Sequence, residues 1–486
     1  MTFRTLHLQQ AGRRAPHNRA RISIKLVVVL GVVVLLFVGG IIAAYVLLKD
    51  EPPPDVEDLY VRRQEIPEEE NAFHYLELAR AKMYWPERGD AAANPFVQAV
   101  KEGKTTFTQE DLDRFLEAEK TREKSKTERL RDMLEGEEEW DPILAAEFLE
   151  NNKEMLALFD RALDCSRCQV PKVISVEQEL DYLSPWRDMA RLAAVRAIRD
   201  LREGREQEAF EGAIDILRFG HMIEDSGGCM MNWLVGNAVA RLGLQTTRRL
   251  LAETTLPPEE LRPSVERVGA YESRREGLIN AYRAEYEVFS NAVDDVAKGK
   301  GGPYGAMAKR GLSRFVFKPN QTRRMYAEHL RWVIKDAKRS RWEWQADVPE
   351  DMEWLLDLET KGSTPWRIRN HVGRVLVAMI APPLSRANIE ACRTDWCARA
   401  TKVMIALRSY VSKTGELPDD LEALVPDYLD EVPTDPFDGQ PLRYSREEGI
   451  LYASDEEFRG REGSFDIPSW TEEREKEGEA SETVPH

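Results

Sequence analysis

SPWRDMARLAAVRAIRDLREGREQEAFEGAIDILRFGHMIE, residues Ser184–Glu224, holds two apolar faces of helical period separated by one glycine. Ser184-Pro185 opens the first, with Met189, Leu192, Ala193, Val195 and Ile198 at mostly three- and four-residue steps, and Gly204 ends it. The second runs from Glu206 through Phe210, Ala213, Ile214, Leu217 and Met222. Two such faces joined by a short turn predict an antiparallel helical hairpin, each helix burying its stripe on the other. The same period recurs on either side. Asp141-Pro142 reads as an N-cap and first helical residue, followed by Leu144, Phe148, Leu149, Met155, Leu156, Phe159 and Leu163; Met230–Leu251 and Leu261–Val296 supply further helices. Mixed charges between Lys120 and Glu139 read as a solvated face. The fold class expected is mainly α, with residues 68–297 forming a helical-hairpin body.

The pair at 185–224 resembles hairpin repeats of the tetratricopeptide type through Gly204, Ala209 and the small Ala197. The large aromatic positions differ and no 34-residue period follows, so antiparallel helix pairs in general account for the pattern equally.

Upstream, Leu26–Leu48 (LVVVLGVVVLLFVGGIIAAYVLL) carries no charge and is closed by Lys25 and Lys49. As a helix it reaches about 34 Å, enough for a hydrocarbon core of about 30 Å. It is longer than a signal-peptide core, and its end lacks a small-x-small cleavage pattern. A transmembrane helix is therefore expected, with a buried soluble helix as the competing reading. Residues 1–25 hold Arg4, Arg13, Arg14, Arg19, Arg21 and Lys25 and no acid, whereas only Arg62 and Arg63 fall between Asp50 and Glu70. That asymmetry keeps a basic N-terminal tail in the cytoplasm and sends the bulk across, as in a single-pass protein of a bacterial inner membrane. Residues 49–67, with Pro52-Pro53-Pro54, form a stiff acidic spacer.

The 486 residues are 42% hydrophobic and carry a formal net charge of -17. That balance argues against non-specific nucleic-acid binding, which needs cations to displace counterions. Lys298–Pro303 is a flexible break opening a second helical segment, 298–395. There Arg323, Arg324, Arg331, Lys335, Lys338, Arg339 and Arg341 interleave with Trp332, Trp342 and Trp344. Salt-bridging to neighbours is the expected role of those cations. Val375–Ala381 is apolar but too short to span a bilayer.

The period changes near Gly415. Residues 396–412 read as one helix, Asp435–Gly439 as a turn cluster, and Leu442–Tyr444 and Ile450–Tyr452 as two short strands joined through Glu447-Glu448-Gly449. The module spans 396–470, and an acidic tail, 471–486, is expected to be disordered. The block from Ala398 to Trp470 resembles the C-terminal part of the major pseudopilin of type II secretion. The resemblance rests on Ala406–Tyr410, Gly415–Pro418, Leu421–Leu424, Tyr428-Leu429, Val432–Pro436, Tyr452, Gly460–Gly463 and Asp466–Trp470. It implies a calcium site, placed here on Glu456 and Asp466 with Asp455 and Ser464 nearby. Glu456-Glu457 stands where the family has Asp-Gly, and the spacing to Asp466 is one residue shorter, so an empty acidic loop is the other reading. No processing site precedes the apolar helix and no early glutamate lies within it, which argues against filament assembly.

No catalytic constellation emerges. His74, His221, His329 and His371 are scattered, and neither H-E-x-x-H nor Gly-x-Ser-x-Gly occurs. His221, beside Met222, reads as a satisfied core residue. Of the five cysteines, Cys165 and Cys168 have a spacing that suits a local disulfide in an oxidising compartment. Cys392 and Cys397 on a continuous helix lie too far apart to pair with each other. The expectation is a non-enzymatic, membrane-anchored envelope protein without a cofactor, unless calcium binds. Its helical body would bind another envelope protein. A component associated with secretion or pilus machinery, and an envelope hydrolase with a site assembled from scattered residues, are the alternatives.

Overall fold

The computed structural model describes residues 24–63, 65–86, 106–121, 124–270, 275–300, 302–309, 317–344 and 369–470, with 99 and 104 besides. Most of the basic tail and all of the acidic tail 471–486 lie outside the described residues. The chain divides into two compact units, Met1–Glu51 and Pro52–His486.

In the first unit the uncharged run forms helix α1, Ile24–Leu48. Its described side chains stand exposed, Leu35 at 72% and Phe37 at 70%. Over the described residues no helix is long and apolar enough to cross a membrane; in α1 the unbroken run of described side chains is Val29–Ile42.

The second unit is mainly helical, and its local signals act where the sequence places them. Helix α2 (Ala72–Lys82) starts at Asn71, whose side chain accepts from the Phe73 amide. Helix α3 spans Gln109–Thr121. Ser125 and Glu128 form a reciprocal capping box on α4 (Lys126–Glu135), which ends at Gly136 in the left-handed region. Asp141 caps α5 (Pro142–Asn151) with Pro142 at its first position, and α6 (Lys153–Asp164) follows. The expected hairpin is α7 (Leu183–Arg202) and α8 (Glu206–Glu224), turned by Gly204 at φ 80°. Then come α9 (Met230–Glu253), α10 (Pro258–Gly269), α11 (Arg275–Ala297), α12 (Gly302–Lys309) and α13 (Pro319–Ala337).

Helix α14 runs from His371 to Thr414, 44 residues, so the helix expected at 396–412 is only its C-terminal part. It continues through Pro382-Pro383 and across the boundary drawn at 395/396. The module beyond it holds β1 (Arg443–Ser445), β2 (Ile450–Tyr452), the short helix α15 (Glu456–Arg459) and β3 (Ser464–Asp466). The three strands make one antiparallel sheet in the order β1-β2-β3, with Arg443 opposite Tyr452 and Ile450 opposite Asp466. The hairpin lies within one residue of its expected place, and β3 is an addition.

Helices α8 and α9 approach backbone to backbone. A Cβ on Gly236 would lie 2.6 Å from the Gly220 carbonyl oxygen, and one on Gly243 would lie 2.8 Å from the Leu217 nitrogen. Two hydrophobic clusters fill the unit. The larger takes in α7 to α9, the C-terminal half of α14 and the module; the smaller is built mainly from α11, α13 and the N-terminal half of α14.

Candidate functional site

Along one side of α9, Ala238, Leu242, Gln245 and Arg248 form the floor of a trench. The segment from Leu134 to Trp140 walls one side, and Ser464, Phe465 and Pro468 of the module wall the other. The widest part encloses about 950 Å³, with adjoining stretches of about 480 and 110 Å³. Shared lining residues join them into one continuous depression.

Several contacts hold the module against α9. The Trp470 indole donates to the Leu251 carbonyl at 3.0 Å, and Arg241 pairs with Glu462. Arg248 donates to Thr401 Oγ1 of α14 at 2.8 Å and lies over the Phe465 ring at 3.8 Å. On the opposite wall Arg249 donates to the Met133 carbonyl at 2.6 Å, fixing the end of α4. Arg202 lies over Trp140 at 5.3 Å and pairs with Glu253.

The electrostatics of the floor are unusual. Burial pushes the Arg248 guanidinium down to about 10 and also lowers that of Arg249. Both donate to neutral oxygens, and among the described residues neither has a carboxylate at ion-pair distance. A partly desolvated cation without a counter-ion is costly, and an incoming carboxylate relieves the cost. Glu135, Glu138 and Glu139 line the same trench with negative charge. The trench thus offers aromatic and apolar walls, a cationic floor and an acidic edge, the residue types that dominate protein-recognition surfaces. Among the described residues its lining holds no histidine, and Thr246 donates its hydroxyl back to the Leu242 carbonyl.

Asp466, expected as a calcium ligand, lines the trench wall on β3, and Glu456 is the exposed first residue of α15. Asp455 caps α15 by accepting from the Phe458 amide at 2.8 Å. Among the described residues no group of three His, Cys, Asp or Glu converges to hold a metal. The thiols of Cys165 and Cys168 are free, so the structure holds no disulfide between them; burial raises both, Cys168 to about 12. Cys229, Cys392 and Cys397 are free and buried as well. His221 is a satisfied interior residue: its Nδ1 lies 2.9 Å from the buried Glu224 carboxylate. In the basic-aromatic segment, Arg323, Arg324 and Arg331 pair with Asp294, Glu328 and Asp58.

Sequence reasoning missed Arg248, Arg249, Arg202 and Phe465. One signal was available: Arg241, Gln245 and Arg248 recur at four- and three-residue steps, a polar stripe on an otherwise buried helix. Compared with family models, curated proteins and solved structures, the chain matches none.

Proposed function

We propose that the protein is a single-pass, membrane-anchored component of a bacterial envelope that binds another envelope protein in the α9 trench without catalysis. The anchor is Leu26–Leu48, with the N-terminus in the cytoplasm and the bulk outside. The support for anchoring is the uncharged run itself and the exposure of its described apolar side chains, which is costly in water and favourable in lipid.

The observation that carries the binding reading is the trench floor. Arg248 and Arg249 face neutral partners in the floor of an open depression, which suits a protein segment presenting a carboxylate. Glu135, Glu138 and Glu139 then select for cations flanking that carboxylate.

A photocrosslinking residue at exposed Gln245 in intact cells tests this. The expected result is one crosslinked protein, lost on Arg248→Ala. Crosslinks that are absent, or unchanged by Arg248→Ala, would sink the reading.

Association with secretion or pilus machinery is the second reading. It is favoured by the hairpin at 443–452, which falls within the block 398–470 that resembles a pseudopilin, and recovery of a pseudopilin in the same crosslink would support it.

A further inference from the structure

A second pocket, of about 470 Å³, lies where the C-terminal end of the spacer, with Arg62 and Arg63, meets the loop of Cys165–Gln169 and the end of α8. Among the described residues its lining carries four guanidiniums, Arg62, Arg63, Arg167 and Arg218, against one carboxylate, Asp225. That surplus of positive charge is set in a chain with net charge -17. Like charges in a half-enclosed site raise one another's energy, and a bound anion lowers it.

The walls are fixed in place. Arg63 donates to the Val170 carbonyl at 2.9 Å and to the Gly227 carbonyl at 2.6 Å, so its charge is positioned by neutral groups. Asn71 clamps the loop from the other side, donating to the Gln169 carbonyl at 3.0 Å and accepting from the Gln169 amide at 2.8 Å. The His221 ring, held by Glu224, completes the wall. Among the described residues neither Arg62 nor Arg218 has a carboxylate at ion-pair distance. A pocket already shaped in this way loses little freedom when it is filled.

The chemistry narrows the ligand. Planar guanidiniums bind phosphate oxygens two at a time, which lysines do not. The volume holds a small ester rather than a length of protein, and the positive surplus is large enough to hold the two negative charges of a phosphomonoester. We propose that this pocket binds a small phosphate ester through Arg62, Arg63 and Arg218. The proposal concerns a different pocket from the α9 trench and stands apart from the envelope reading.

The test uses the full-length chain in a non-ionic detergent, free of phosphate buffer. Inorganic phosphate, glycerol 3-phosphate, and mixed micelles containing phosphatidic acid are each titrated by calorimetry. Saturable binding of the soluble anions identifies a free phosphate or ester as the source; binding of the micelles alone identifies a lipid headgroup. In either case Arg62→Gln with Arg218→Gln weakens binding by about tenfold or more, since two charge-assisted contacts are lost. Arg262→Gln, an exposed arginine that lines neither this pocket nor the trench, controls for general charge and leaves affinity unchanged. Absence of saturable binding by the wild-type chain to all three probes overturns the proposal. So does a loss in the double variant no larger than that in Arg262→Gln.

Discussion

The guanidinium of Arg248 lies 3.8 Å over the ring of Phe465, and it donates at the same time to Thr401. One side chain of α9 thereby ties the module's last strand to the long helix α14. Phe465 also packs against Trp396, with ring centres 4.8 Å apart. Truncation to Phe465→Ala removes both contacts and is expected to cost about 2 kcal/mol, a lost cation–π pair plus a partly buried ring. Arg248→Lys keeps the charge and loses the planar stack, at about 1 kcal/mol. Urea denaturation of the two variants orders them; equal costs would show that the stack contributes nothing.

A helix interior normally gains from Gly→Ala, by about 1 kcal/mol. Gly236→Ala is expected to do the reverse. Its Cβ would fall 2.6 Å from the Gly220 carbonyl oxygen and 2.7 Å from the Glu224 nitrogen, both backbone atoms. Helices α8 and α9 must separate to admit it, at about 2 kcal/mol or more. A melting temperature at or above wild type would contradict the close approach.

His329 is buried beside the smaller cluster, and its ring has only a weak polar neighbour in the Ala381 backbone. Burial lowers it from 6.5 to about 4. Above pH 6.5 the ring is neutral in both states. As the pH falls, the unfolded chain takes the proton first, so stability drops until the folded ring titrates near pH 4. The full loss is about 3 kcal/mol. His329→Leu is expected to lose less stability than wild type between pH 7 and about 4.5, measured as the difference in urea midpoints.

Asp435 is fully buried and organises the turn before β1. It accepts from the Phe437 amide at 2.8 Å, from the Ser454 amide at 2.8 Å, and from Arg443 at 3.3 Å. Asp435→Ala strands two amides, leaves Arg443 paired with Asp438 alone, and is expected to cost about 3 kcal/mol. Asp435→Asn retains one acceptor and costs less. Proteolysis of the module during mild denaturant titration distinguishes the two.

Cleavage of the chain between its two units is also informative. A chain beginning at Pro52 retains the whole second unit with both clusters. It is expected to fold and to stay soluble without detergent, whereas the full-length chain requires it. If the full-length chain is monodisperse in plain buffer, the anchor assignment is wrong.

The hairpin of α7 and α8 was legible because its helices carry their own apolar stripes and Gly204 supplies the left-handed stop. The Asp141-Pro142 start and the strands around Gly449 were legible for the same local reasons. Helix α14 was not. Pro382-Pro383 reads as a terminator, yet buried residues on both sides, Val372 and Val377 before and Leu384 and Ala387 after, hold the helix through it. Strand β3 was hidden too, because the three residues Ser464-Phe465-Asp466 are too few to establish a period and form a strand only by pairing with β2. The trench was the least legible part. Arg248, Thr401 and Phe465 come from α9, α14 and β3, and no local pattern reports their meeting.

Helix α14 measures about 66 Å at the usual rise per residue. Val372, Val377, Leu384 and Ala391 are rooted in one cluster, and Trp396, Val403, Leu407 and Val411 in the other. It therefore acts as a lever arm. A tug on the C-terminal sheet loads both interiors through this one helix.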